Sequence, residues 1–139
     1  MMNLKKILLV DDSQPFNFLS RIMLSRAVHD CEIEEVLNGR DALRKITAEN
    51  YCPDVILLDI NMPVMDGKEF LREYTRVKDC CRPKIFMLTS SIRDEDREET
   101  LGTGVVSGYF EKPLTRNHIE EMFELMDIDT NALKPDLWV

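Results

Sequence analysis

Ile7-Leu8-Leu9-Val10 runs straight into Asp11-Asp12, and Val55-Ile56-Leu57-Leu58 runs into Asp59. Two later apolar runs end at a hydroxyl, Thr89, and just short of an ammonium, Lys112, which Pro113 follows. If these five groups meet, they suit one chemistry. Carboxylates about 5 Å apart repel by roughly 3 kcal/mol per pair at an effective dielectric of about 20, so an empty cluster is strained. A hard divalent cation such as Mg2+ removes that repulsion, binding one or two carboxylates together with water and phosphate oxygens. A carboxylate beside it is a nucleophile already ionised at neutral pH, and carboxylates do form aspartyl-phosphate intermediates without a general base. Phosphoryl transfer otherwise asks for positioning and charge neutralisation. Asp11 and Asp12 fit the cation, Asp59 the nucleophile, and Lys112 and Thr89 the phosphoryl oxygens.

Whether they meet depends on the elements that carry them. Strand-like apolar runs occupy residues 7–10, 33–37, 55–58, 85–88 and 105–110, several of them continuous rather than alternating, as in parallel strands covered on both faces. Helical periods lie between them. Ser13 is an N-cap with Pro15 in the first turn, and Phe16, Leu19, Met23 and Ala27 share one face. Ala42, Leu43 and Ile46 form a stripe after Asn38, and Phe70, Tyr74 and Val77 follow an Asp66/Glu69 capping box. Ile119, Met122, Phe123 and Met126 follow Thr115. These stripes read as core. The fourth helix differs: residues 93–99 (RDEDREE) are all charged, with Ile92 and Leu101 as its apolar anchors and Ser91 or Asp94 to start it. Such a run reads first as a solvated face, and a helix held so weakly is also suited to move. The order is (βα)5, which predicts an α/β fold with a doubly wound parallel sheet. In such folds ligands bind beyond the carboxyl ends of the strands, where all five groups fall.

The 139 residues suit one domain, and a formal charge of −8 argues against nucleic acid or an anionic membrane as a direct partner. No apolar run reaches the roughly 20 residues of a membrane span, and residues 1–6 are too polar for a signal peptide, so a cytoplasmic protein is expected. Cys31, Cys52, Cys80 and Cys81 contain no C-x-x-C pair, and the histidines are His29 and His118, so free thiols are expected and no structural zinc or disulfide.

The stretches ILLVDDS, PDVILLDINMPVMDG, IFMLTSS and GYFEKPL resemble the receiver domain of two-component response regulators, over residues 4–127, with residues 128–139 as a short tail. The resemblance implies a flavodoxin-like sheet in the order 2-1-3-4-5 and a Mg2+-dependent transfer of a phosphoryl group from a histidine kinase phosphohistidine, or a phosphotransfer protein, to Asp59. It implies that Asp12 ligates Mg2+ directly and Asp11 often through water, with Asp59 and the Asn61 backbone carbonyl as further ligands. It makes Thr89 the switch hydroxyl, Lys112 the phosphate-pairing lysine and Tyr109 the aromatic that changes burial on activation. It also implies a cis Lys112-Pro113 peptide. Residues 104–109 are one residue longer than the commoner glycine-to-aromatic spacing, which leaves the end of the fourth helix open.

Rival readings fit less well. A haloacid-dehalogenase-type phosphatase needs a second aspartate two residues after its nucleophile, where Asn61 stands. A flavin carrier needs a phosphate loop after the first strand, and Asp11-Asp12 would repel that phosphate. A degenerate receiver acting only as a binding module would not be expected to keep all five chemical positions. The expectation is therefore a phosphoacceptor signalling domain rather than an enzyme with a separate substrate. About a dozen residues follow the fifth helix, too few for a DNA-binding domain. This predicts a stand-alone receiver that signals by protein contact through its fourth helix, fifth strand and fifth helix, or relays phosphate onward. Leu137 and Trp138 are expected to pack back or to lie disordered.

Overall fold

A computed structural model of the chain describes residues 4–78 and 81–136. Strands and helices alternate: β1 (Lys6–Val10), α1 (Gln14–Ala27), β2 (Glu32–Val36), α2 (Gly39–Thr47), β3 (Val55–Leu58), α3 (Gly67–Tyr74), β4 (Lys84–Thr89), α4 (Asp94–Leu101), β5 (Val106–Glu111) and α5 (Arg116–Leu125). All strand pairs are parallel, in the order β2-β1-β3-β4-β5. β3 is apolar at every position, and β1 and β4 are apolar from Ile7 to Val10 and from Ile85 to Leu88, because both faces are covered. Ile7 and Leu9 point to a core shared with α1 and α5, whereas Leu8 and Val10 point to one shared with α2 and α3. The period of two along a strand thus builds two cores from one apolar run.

Caps fix where the helices begin. Ser13 accepts the Phe16 N–H, Asn38 accepts the Asp41 N–H, and Asp66 and Glu69 form the expected reciprocal box. The Lys112-Pro113 peptide is cis, as expected.

Three expectations need correction, and one open point is resolved. The buried face of α1 is Asn17, Ser20, Leu24 and Ala27, while Leu19 is 48% exposed. Two small polar residues face inward, so apolar periodicity picked the wrong stripe. Ile92 does not anchor α4, being 76% exposed. The extra residue before Tyr109 is absorbed inside β5, where Ile85 pairs with Val106 but Phe86 pairs with Gly108, leaving Ser107 as a bulge. Finally, Cys52 and Cys81 pair as a disulfide, with Cα atoms 5.8 Å apart. They immediately precede neighbouring strands, β3 and β4, and a sequence separation of 29 forms no motif to announce it. Cys31 is the free thiol among the described cysteines, pushed up to about 11 by burial and by the charges of Asp54 and Glu32.

Past α5 the chain keeps packing. Ile128 and Leu133 join the α1/α5 core around a short 3-10 turn, Thr130–Ala132. The Lys134 N–H donates to the Ala27 carbonyl at 2.8 Å, and the Arg116 guanidinium donates to the Lys134 carbonyl at 2.7 Å. Leu137 and Trp138 lie outside the described residues. Among the described residues no helix is long and apolar enough to cross a membrane.

Candidate functional site

Strand register sets the site. Val10 pairs with Leu58, so the next residues, Asp11 and Asp59, leave the sheet side by side. The Asp59 N–H donates to the Val10 carbonyl at 2.9 Å and the Asp11 N–H to the Val36 carbonyl at 3.1 Å, carrying the ladder one step past the strands. Thr89 pairs with Glu111, and the Lys112 N–H donates to the Thr89 carbonyl at 2.9 Å. The four strand ends thus bring Asp11, Asp59, Thr89 and Lys112 to one edge.

Carboxylate oxygens of Asp11, Asp12 and Asp59 lie within 4.8 Å of one another. Asp11 and Asp59 are buried, whereas Asp12 opens to solvent. The Lys112 ammonium, its side chain only 5% exposed, reaches Asp11 Oδ2 at 2.6 Å and Asp59 Oδ2 at 3.0 Å. The other oxygens are held by backbone, Asp11 Oδ1 by the Ser13 N–H and Asp59 Oδ1 by the Ile60 N–H. Burial pushes the Asp11 carboxyl up, and the charge of Asp59 adds to this against the pull of Lys112 and the Ser13 N–H. For Lys112, burial pulls the ammonium down, but its bonds and charges with Asp11 and Asp59 outweigh that and hold it above the usual lysine value.

Three carboxylates face a single ammonium, so net negative charge remains, presented by hard oxygen donors with one carboxylate open to solvent. That donor set fits a divalent cation of the Mg2+ type.

Thr89 is fully buried, and its Oγ1 accepts the Ser91 N–H at 3.3 Å. Asn61 is exposed beside Asp59 and lines a cleft together with Lys68, Ser91 and Asp96. Tyr109 is half-buried and turned inward, donating its hydroxyl to the Ser91 carbonyl at 3.0 Å. Arg97 lies over its ring, 5.5 Å from the centroid.

Several contributors escaped the sequence reading. Asn17, buried in α1, donates its amide to the Asp11 carbonyl at 2.9 Å and so holds the β1–α1 turn. Phe16 packs its ring 4.4 Å under the Lys112 ammonium instead of joining the core. A glycine is required at position 67, where a Cβ would stand 2.2 Å from the Asp59 carbonyl oxygen. An inward polar residue on a helix carries no periodic signal; the glycine directly after the capping residue Asp66 is the one readable clue.

Comparison with known proteins agrees with this geometry. The family model "Response regulator receiver domain" matches residues 7–124. The chain is 33% identical over 129 residues to the hybrid signal transduction histidine kinase L of Dictyostelium discoideum, covering 87% of this chain and 7% of that protein. It spans between 7% and 11% of the length of the first curated relatives it matches. Among solved structures it is similar to a two-component response regulator from Cytophaga hutchinsonii, with a TM-score of 0.79 and 26% identity over 91% of this chain and 99% of that one. It is also similar to the Mn2+-bound form of response regulator Rcp1, with a TM-score of 0.75 and 29% identity over 90% of this chain and 97% of that one. With the sheet order, the strand-end carboxylates and the family match in agreement, the chain belongs to the response regulator receiver domain family.

Proposed function

We propose that Asp59 accepts a phosphoryl group from a phosphohistidine on a sensor histidine kinase or phosphotransfer protein, in a reaction that requires a divalent cation. The observation that carries this reading is the Asp11/Asp12/Asp59 cluster with Lys112 bonded to two of its members. An Asp59 carboxylate oxygen attacks phosphorus, the phosphorus–nitrogen bond breaks, and the imidazole leaves with the electron pair and takes up a proton. Asp11, Asp12, Asp59 and the Asn61 carbonyl are the groups to hold Mg2+, which when bound supplies positive charge to the phosphoryl oxygens. The similar response regulator Rcp1 has a Mn2+-bound form, in keeping with a requirement for a divalent cation. Lys112 neutralises a further phosphoryl oxygen. Thr89 donates its hydroxyl to the modified Asp59, and Tyr109 responds to the displacement of Thr89. The output is contact with a protein target through α4, β5 and α5.

Incubation with acetyl phosphate and Mg2+, read by intact mass, tests this. One added phosphoryl group is expected, with none in EDTA and none for Asp59→Asn. A chain that takes up no phosphoryl group with Mg2+ present would instead be a binding module only.

A further inference from the structure

α4 is held to the domain by charge and not by apolar burial. Its buried residues are Asp96 and Thr100, and the Thr100 hydroxyl turns back to the Asp96 carbonyl of the same helix at 2.7 Å. The Asp96 carboxylate reaches outward in two directions. Its Oδ2 accepts the Ser91 hydroxyl at 2.5 Å, and its Oδ1 meets the Lys68 ammonium at 2.6 Å. Lys68 also meets Glu99 at 2.7 Å.

Each partner leads back to the site. Ser91 lies two residues past Thr89, donates its N–H to the Thr89 hydroxyl and receives the Tyr109 hydroxyl on its carbonyl. Lys68 follows Gly67, whose N–H donates to the Ile60 carbonyl at 2.7 Å and which lies so near the Asp59 backbone that a Cβ there would clash with it. One buried carboxylate therefore joins the loop after Thr89, the helix seated on Asp59, and α4.

We infer that Asp96, with Ser91 and Lys68, is a positioning residue that makes α4 follow Thr89 when Asp59 is modified, an inference that rests on the phosphoacceptor reading. The Asp96 side chain is 8% exposed and both of its oxygens are engaged, one by Ser91 and one by Lys68, so neither charge-assisted bond is given up without cost. A shift of the Ser91 backbone thus carries Asp96 with it, or else breaks its bond to Ser91 and frees α4 on that side. In either case α4 changes its docking. The pKa of Asp96 is held low by Lys68 and by Ser91, in keeping with a carboxylate that stays charged in this contact.

The test is amide hydrogen exchange of the full chain with Mg2+, with and without beryllofluoride as the phosphoryl mimic, and with mimic binding followed separately by fluorine NMR. In the wild type, exchange at residues 94–101 should change on binding. In Asp96→Asn the mimic should still bind and exchange at residues 84–91 should still change, but the change at residues 94–101 should fall to about one-tenth or less. Ser91→Ala, which removes the hydroxyl's bonds to the Asp96 carboxylate and from the Arg93 N–H but leaves every charge in place, should at least halve it and guards against a misfolded first variant. A full-sized α4 response in both variants overturns the inference, as does a wild type that binds the mimic with no α4 response. A wild type that binds no mimic overturns the phosphoacceptor reading itself. A purely structural role would lower the unfolding midpoint without removing the difference between the two states.

Discussion

At Lys112 and Asp12 the fold balances charge unevenly. The ammonium bonds Asp11 and Asp59, while Asp12 is exposed and makes no ion pair among the described residues. Asp12→Ala should therefore stabilise the protein in EDTA by about 1 kcal/mol, through relief of like-charge repulsion, while weakening the added stability that Mg2+ confers. Urea titrations with and without Mg2+ check this; a variant less stable in EDTA would contradict it. His118 offers a pH test. Its Nδ1 accepts the Thr115 N–H at 3.1 Å, its ring stacks on Phe110 at 4.8 Å, and burial holds its pKa below 6.5 against the opposing charge of Glu121. A protonated Nδ1 cannot accept that bond. The unfolded chain then binds the proton more readily, so this contribution is complete above about pH 6.5 and is lost as pH falls toward the folded value. An NMR titration with a midpoint at or above 6.5 would contradict this, and His118→Gln should flatten the corresponding part of the stability profile. Asp11, Asp59, Thr89 and Lys112 were legible because a strand end announces itself as an apolar run that stops. Asn17 and Phe16 were not, because their partners are set by tertiary contacts that no period records.

Element order was readable for a similar reason: continuous apolar strands and capped amphipathic helices each have a physical signature. What failed was orientation. In α1 the inward face is half polar, so Phe16 and Leu19 suggested a stripe that the structure turns outward, toward Lys112 and solvent. In α4 the sequence showed weak anchoring but not the compensating ion pairs, since Lys68 lies 28 residues before Asp96 on another helix. These pairs bring their own pH window. Lys68 holds Asp96 below the usual carboxylate range, and Asp96 and Glu99 hold Lys68 above the usual lysine value despite the opposing pull of burial. The Asp96 part is present above about pH 4 and lost as pH falls through its lowered value; the Lys68 part is present below about pH 10 and lost as pH rises through its raised one. Amide exchange of α4 should accordingly stay flat, after correction for intrinsic rates, from pH 5 to about 9. A sharp loss of protection inside that window would show that something else holds the helix.

Across the whole molecule, chemistry sits at the carboxyl edge of the sheet and the Cys52–Cys81 bridge at the amino edge. The bridged segment contains β3, Asp59 and α3, so the bridge restrains the unfolded chain around the site without touching it. With a separation of 29 residues, reduction should lower stability by about 3 kcal/mol and the unfolding midpoint by roughly 10 °C. Calorimetry with and without a reductant checks this, and coincident midpoints would contradict it. Phosphorylation should be unaffected by reduction, because Asp11, Asp12 and Lys112 approach Asp59 from the opposite edge. Everything proposed about signalling depends on which carboxylate is modified. Borohydride reduction after acetyl phosphate treatment, followed by peptide mass mapping, reads that directly, since it converts an acyl phosphate to an alcohol at the residue that carried it. We expect conversion at Asp59 alone, abolished by EDTA. Conversion at Asp11 or Asp12, or undiminished conversion of Asp59 in EDTA, would contradict a cation-dependent phosphoacceptor at the end of β3.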